Sequence, residues 1–534
     1  MVEAEAEITK GKEKETGKEA VETGGKGKEK ETGKEAVDKN DLVVDSYDIH
    51  MDDLSFPVTV VDVGDYVLHY KLTLPDIDFV TAAFLDDSKR SLVQDIQIET
   101  RNILDPDSYA GLKDKFLKRS KEKLRGVLKK LSEEDLSVLS RVIVNDMVGL
   151  GDIEYLLADS MVEEVVVNSS KDVIWIYHKV HGWLKTNIII SSEDMIMNYS
   201  SRIAREVGRE ISHLVPLLDA HLVTGDRVNS TLFPISTTGN TITIRRFSRT
   251  PWTIVHLISP KFKTISTDAA AFLWLAIEYE MNMLVAGGTA SGKTSMLNAM
   301  MPFFPANQRI ISIEDTRELN LPDYLHWVPL NTRLPTPQGE GEVSMLDLVE
   351  NSLRMRPDRI VVGEVRRQRE AEVLFEAMHT GHSVYGTFHA LGAGEVVERI
   401  SSPPMSIPPM VMGSLHMVVT QYINRRTKQR RTFEIAELIR KGSGAPEVNI
   451  IYKWQPRTDT VKKVSSSIRL QDELETFTGM TEKEIAEDLT GKENILNWLL
   501  RRDIKDVNDV GKIIAEYYLD KETVLDLVEH DKEI

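Results

Sequence analysis

The rhythm of apolar positions changes along this chain, and each change marks a segment. From about Ile258 onward, short apolar runs at 283–286, 309–313, 359–362 and 384–387 alternate with longer stretches of helical period. Such runs predict strands covered on both faces, and their alternation with helices predicts a parallel sheet. Upstream, Val162–Val167 and Val173–Tyr177 read as strands joined through Asn168-Ser169-Ser170. Ser191 with Asp194 resembles a capping box that opens a helix with Ile196, Tyr199, Ile203 and Val207 on one face, closed by Gly208. Strand-like runs around 226–232 and 241–247 follow, joined by the turn Thr238-Gly239-Asn240, and Pro251 opens a linker. Near the start, Val58–Val61 and Tyr66–Tyr70 suggest a small β region. Tyr109–Leu131 then places Leu112, Phe116, Leu124 and Leu128 on one face of a lysine-rich helix. The tail after 441 reads as helical, with Ile495, Leu496, Trp498, Leu499 and Leu500 as its core.

Residues 1–40 have no such rhythm. Lys10–Val21 reads KGKEKETGKEAV, and Lys26–Val37 repeats it letter for letter. With many charges and no aromatic side chain, this segment buries too little to offset chain entropy and is expected to be disordered. The expected plan is a repeat tail over 1–40, a β/helical region over 41–135 and an α/β domain over 136–250. A linker over 251–262, a parallel-sheet core over 263–440 and a helical segment over 441–534 complete it. The fold class is α/β, a parallel-sheet domain behind a smaller α/β domain.

Composition narrows the chemistry. Among 534 residues there is no cysteine, which excludes disulfides, thiol catalysis and Cys-ligated zinc. The formal charge is −18, from 84 acidic and 66 basic residues, which argues against a protein that coats nucleic acid. The apolar stretch Ala269–Ile277 is too short to span a bilayer, and nothing at the start reads as a signal peptide. A cytoplasmic protein, peripheral at the inner face of the membrane, is expected.

Residues 287–294 supply the sharpest signal. Gly287-Gly288-Thr289-Ala290-Ser291-Gly292-Lys293-Thr294 matches the phosphate-cradling loop G-x-x-x-x-G-K-[ST], and Ser295 continues into a helix. Glycines let the backbone turn its N–H groups toward phosphate oxygens. Lys293 reaches the terminal phosphates, and the Thr294 hydroxyl can ligate Mg²⁺. A helix N-terminus favours the anion further. Other groups sit at predicted strand ends, where ligands of such sheets bind. Glu314-Asp315 ends one strand, Glu364 follows the 359–362 run, and His382 and His389 flank the 384–387 run. An isolated acid or histidine is more often structural; their order behind a phosphate loop favours a site. Gly363 stands where many phosphate-loop enzymes carry Asp.

The stretches GGTASGKT, ISIEDTREL, LRMRPDRIVVGEVR and AMHTGHSVYGTFHA together resemble the secretion ATPase superfamily, the motors of type II secretion, type IV pili and type IV secretion. They correspond to its Walker A, Asp box, Walker B and His box, and the Gly-Glu form of Walker B is usual there. EDTRELNLPDYLHW, RRTKQRRTFEIAEL and NILNWLLRRDIKDVNDVGKIIAEYY most resemble its archaeal, archaellum-motor branch. The resemblance covers roughly 100–520. It implies a RecA-like domain, a ring of six, and ATP with Mg²⁺ held between the two domains. It implies that Arg227, Arg245 and Arg246 reach the nucleotide. Glu314 is the implied candidate for activating water and Glu364 for Mg²⁺, with the division of roles open, and His382 and His389 are implied phosphate sensors. The implied partners are a polytopic membrane platform and accessory cytoplasmic archaellum proteins. The basic helix 112–130 and the hairpin Arg425–Arg431 are candidate contacts to that platform or to anionic lipid, although a solvated face is the favoured reading of the helix. A pilus or secretion motor is the alternative. A DNA translocase fits less well, since no basic, aromatic pore loop is evident and no nucleic acid is expected.

Overall fold

A computed structural model of the protein describes residues 41–75, 77–95, 106–128, 131–222, 225–247, 251–335, 339–440, 442 and 444–531. The repeat tail expected over 1–40 lies outside the described residues. Two nine-stranded sheets organise the rest.

The first sheet is built from β1 (Leu42–Met51), β2 (Leu54–Asp62), β3 (His69–Leu72), β4 (Val162–Val167), β5 (Val173–His178), β6 (Gly182–Ile189), β7 (Leu217–His221), β8 (Arg227–Thr231) and β9 (Thr241–Arg245). Its order is β1-β2-β3-β6-β5-β4-β9-β8-β7. Period-two burial is clear in β5, where Ile174, Ile176 and His178 point inward. The division expected at 135/136 does not separate two bodies. β3 pairs with β6, the Tyr70 hydroxyl donates to Asp159 at 2.7 Å, and Asn187 Oδ1 accepts from the Leu72 amide at 3.0 Å. Three strands alone bury too little to stand apart, so they extend the neighbouring sheet. Helices Phe79–Asp95, Pro106–Val127 and Glu133–Met147 pack around Leu85, Leu92, Leu124, Leu136 and Ile143.

The helix expected from Ser191 starts one residue later. Ser192 is the cap, accepting from the Met195 amide at 3.2 Å, and the helix spans Glu193–Glu206. Ile196, Tyr199 and Ile203 are buried, as their spacing predicts.

The second sheet contains β10 (Met283–Gly287), β11 (Arg309–Glu314), β12 (His326–Asn331), β13 (Arg359–Val362), β14 (Ser383–Phe388), β15 (Met417–Ile423), β16 (Arg430–Ile439), β17 (Glu447–Gln455) and β18 (Thr460–Lys463). The order is β12-β11-β13-β14-β10-β15-β16-β17-β18. The strands from β12 to β15 run parallel, whereas β16, β17 and β18 add antiparallel. Every residue of β10, β13 and β14 is buried, as helices on both faces require.

Two expectations fail in this half. The linker expected over 251–262 contains a folded helix, Ile254–Ile258, whose Ile254, Val255, Leu257 and Ile258 are buried. Thr253 also donates to the Lys505 carbonyl at 3.1 Å, tying this stretch to the carboxyl-terminal helices. The segment after 441 is not helical throughout, because β17 and β18 extend the sheet first. Ile450, Tyr452 and Trp454 recur at every second position of β17, with the buried Ile451 on its opposite face.

The helices that follow explain the apolar stretch Ala269–Ile277. Helix Thr267–Glu278 is buried nearly all round, because Glu482–Arg501 and Val507–Leu519 cover its outer face. Trp274 stacks on Phe303 with ring centroids 5.4 Å apart and donates to the Tyr518 hydroxyl at 2.8 Å. Lys492, fully buried, lies 2.7 Å from Glu278 and also pairs with Asp488. Among the described residues no helix is long and apolar enough to cross a membrane.

Candidate nucleotide-binding site

The loop 287–294 joins the carboxyl end of β10 to helix Lys293–Met300. Two backbone positions shape it. Gly292, the N-cap, has φ +90°, and Ala290 has φ +61° despite its side chain. At Gly287, with φ +154°, a Cβ would lie 2.6 Å from the Gln421 carbonyl oxygen and would also strike Ser291. A side chain there would displace the cradle. The Ser291 hydroxyl donates to the Gly288 carbonyl at 2.8 Å, so it shapes the loop. Thr289, Ala290 and Ser295 are exposed, and Gly288 and Thr294 half-buried, at the mouth of the site.

Lys293 Nζ lies 3.2 Å from its loop's Gly288 carbonyl and 3.5 Å from His389 Nε2. Burial pulls the Lys293 ammonium below its ordinary value, with Glu364 opposing that effect. Phosphate charge would restore it. His389 follows β14 and reaches Glu364 Oε1 at 2.9 Å. Burial first, then the charge of Lys293, lowers its pKa. Glu364 in turn meets Arg366 at 2.6 Å, and Arg366 meets Asp315 at 2.7 Å. Adjacent strand ends thus carry a chain of charges from the cradle lysine to the acids after β11. The spacing of Arg366, two residues beyond Glu364, is a sequence signal that pattern reading passed over.

Glu314 ends β11 and is buried, 1% exposed. Its Oε1 accepts from the amides of Glu318 at 2.9 Å and Leu319 at 3.0 Å, while Oε2 is buried without a hydrogen-bond partner. Burial pushes this carboxyl up to about 7, although the two amides pull it down. A carboxylate with an open lone pair and a pKa near neutrality is suited to take a proton from water. Gly363 lies beside Glu314, and a Cβ there would meet it at 3.4 Å, an ordinary contact.

Several expected site residues lie elsewhere. His382 stands at the amino end of β14 and approaches the Ala377 carbonyl at 3.3 Å. The cradle lies at the carboxyl ends of the parallel β10 and β14, about 20 Å away along the sheet at 3.3 Å per residue. His382 is therefore no phosphate sensor for this chain's own cradle. Arg246 is committed to its own sheet, donating to the Val162 carbonyl at 3.0 Å and to the Asp159 carbonyl. Arg227 and Arg245 face each other across β8 and β9, and both are exposed. Arg227 is paired with Asp219 at 2.8 Å and also feels Asp315 and Glu318 of the loop after β11. The hairpin 425–431 is less available than its charge implied. Arg431 is buried against Asp459 at 2.7 Å, and Arg430 donates to the Ala290 carbonyl at 3.0 Å.

The donor set fits a magnesium nucleotide. The cradle tolerates no Cβ at Gly287, and the buried oxygen Glu314 Oε2 has no hydrogen-bond partner. Thr294 at the helix start would hold the cation, and Glu364 would hold its water. Among the described residues no three His, Asp or Glu converge as a metal cage.

Residues 146–468 match the family model described as type II/IV secretion system protein. An uncharacterized protein of Methanocaldococcus jannaschii is 33% identical over 397 residues, covering 73% of this chain and 71% of that protein. The type IV secretion system protein PtlH of Bordetella pertussis is 31% identical over 267 residues, covering 46% of this chain and 78% of PtlH. The crystal structure of the VirB11 ATPase from the Brucella suis type IV secretion system, in complex with sulphate, covers 53% of this chain and 91% of its own, with 24% identity and a TM-score of 0.28. With the matched region running from Asp146 through both sheets, the chain belongs to the type II/IV secretion system protein family.

Proposed function

We propose that this protein hydrolyses ATP at the cradle 287–294 and drives a surface filament or secretion machine. The carrying observation is the buried Glu314, with an open oxygen, on the same strand edge as Lys293 and Glu364. Lys293 and the loop amides bind the phosphates, and His389 reads the charge beside Lys293. Magnesium, when bound, neutralises phosphate charge. Glu314 accepts the proton of the attacking water. Arg227 and Arg245 supply positive charge from the amino-terminal sheet, within the chain or across a ring of six. Nucleotide state is then converted into motion of one sheet against the other. The load is an archaeal filament, the archaellum, acting through a polytopic membrane platform and accessory cytoplasmic proteins; the Methanocaldococcus relative supports an archaeal setting. A type IV pilus or secretion motor remains the second reading, supported by the similarity to PtlH.

Phosphate release by purified protein tests the proposal. Lys293→Ala is expected to abolish turnover and nucleotide-analogue binding, whereas Glu314→Gln abolishes turnover and keeps binding. Retained phosphate release in both variants would refute it.

A further inference from the structure

The five residues after Glu314 touch both halves of the chain. Thr316 Oγ1 lies 2.7 Å from His221 Nε2 at the end of β7. The Arg317 guanidinium sits 5.9 Å from the Phe247 ring, just beyond β9, and 5.1 Å from the Trp327 ring on β12. Trp327 is itself anchored, donating to Ser312 of β11 at 2.8 Å. Arg317 is thus held between an aromatic ring of each sheet, an arrangement favourable to a cation. His221 pairs in register with Arg227, so one strand pair brings both side chains to the loop. Arg227, held first by Asp219, also feels the charges of Asp315 and Glu318 of that same loop.

The loop's backbone faces the other way. The amides of Glu318 and Leu319 are the two donors on Glu314 Oε1. Leu319 is fully buried and fixes the loop's end. Over such a short span, side-chain docking and amide donation cannot move independently. A shift of Thr316 or Arg317 must rotate the following peptide units.

We infer that the loop 315–319 is the mechanical link between the two sheets, with His221, Thr316 and Arg317 as positioning residues that act through the Glu318 and Leu319 amides on Glu314. When the amino-terminal sheet docks, the carboxylate is held in place; when it withdraws, the amides leave and the acid is released. This makes hydrolysis depend on domain position without any contact between His221 and substrate. The inference rests on the reading of Glu314 as the proton acceptor, but its geometry is measurable without nucleotide.

Hydrogen exchange of the full chain, read by mass spectrometry on peptides covering 315–321, tests the link. In Glu314→Ala the Glu318 and Leu319 amides are expected to exchange faster, which shows what protects them. In His221→Ala and Arg317→Ala their exchange is expected to rise about tenfold, the size of one lost hydrogen bond or cation–ring contact. Arg317→Lys retains the cation and is expected to restore protection. Thr316→Val, nearly isosteric, is a second variant that spares the packing. Peptides over β15, Met417–Ile423, should be unchanged in all of them, which separates a local effect from unfolding. The companion readout is a lower kcat with unchanged KM for ATP. Unchanged protection in both His221→Ala and Arg317→Ala would overturn the link, as would unchanged protection in Glu314→Ala. A wild-type protein that shows the exchange pattern but hydrolyses nothing would support the link and overturn the hydrolysis reading instead.

Discussion

Replacing Glu314 by glutamine is expected to remove activity and raise stability at once. The carboxyl sits at about 7 in the fold against an ordinary 4.5, because burial disfavours its charge. Each pKa unit is about 1.4 kcal/mol, so that difference is worth about 3 kcal/mol. The sign follows from proton counting. Between 4.5 and about 7 the folded chain holds a proton that the unfolded chain has lost. Stability from this group is therefore complete below pH 4.5 and is lost as pH rises through 7. Above that, the wild type carries a buried charge that the neutral amide of Glu314→Gln avoids. At pH 8 the variant is expected to melt later, by roughly 6–12 °C at about 2–4 °C per kcal/mol for a unit of this size. At pH 4.5 the two melts are expected to converge. The assay is thermal melting of both proteins at half-unit pH steps, with protein concentration held constant so that assembly does not move the midpoint. Parallel pH profiles for wild type and variant would refute the argument, because they would mean that the carboxyl is not strained by burial. The same protonation sets the rate: the wild-type kcat is expected to rise with pH through about 7, since only the carboxylate can take the proton.

Three further outcomes separate site from scaffold. Arg227→Ala is expected to lower kcat by roughly 10³ with an unchanged melt, as loss of a charge-stabilising arginine does, whereas Arg246→Ala is expected to lower the melt of the amino-terminal sheet; steady-state kinetics beside melting decides. His178 is fully buried, and its Nδ1 accepts from the Val180 and His181 amides at 3.2 Å while Nε2 meets the Tyr47 hydroxyl. Burial depresses its pKa, so stability is expected to fall as pH drops below 6.5, where the unfolded chain takes up a proton that the fold refuses. In His178→Gln that acid sensitivity disappears from denaturant titrations at pH 5 to 7. Finally, Lys118 and Arg119 are exposed on helix Pro106–Val127, and reversing Lys118, Arg119 and Lys121 to Glu is expected to weaken sedimentation with anionic vesicles while leaving hydrolysis unchanged.

Much of the carboxyl-terminal half was legible from pattern. The runs at 283–286, 309–313, 359–362 and 384–387 became β10, β11, β13 and β14, because strands buried on both faces allow few polar residues. The edge strand β12 escaped notice: His326–Asn331 mixes Trp327, Pro329 and Asn331 and is only half-covered. The Ser191 cap was misplaced by one because Ser191 and Ser192 offer the same hydroxyl, and only the backbone turn distinguishes them. Ile254–Ile258 looked like a linker since Pro251 interrupts the pattern, yet distant Lys505 closes over it.

The phosphate loop needed no folding to be recognised. Its glycines, lysine and threonine act through backbone geometry and spacing that lie within eight consecutive residues. Which histidine stands beside it was a different kind of question. His382 and His389 flank one strand and differ little as letters, but a strand has two ends, and the parallel pairing of β10 with β14 puts His389 near Lys293 and His382 at the far edge. The roles of Arg227 and Arg246, and the contact of His221 with Thr316, depend likewise on how one sheet meets another. Short-range chemistry is written in neighbouring letters; long-range proximity comes from the joint packing of strands and helices far apart in the chain.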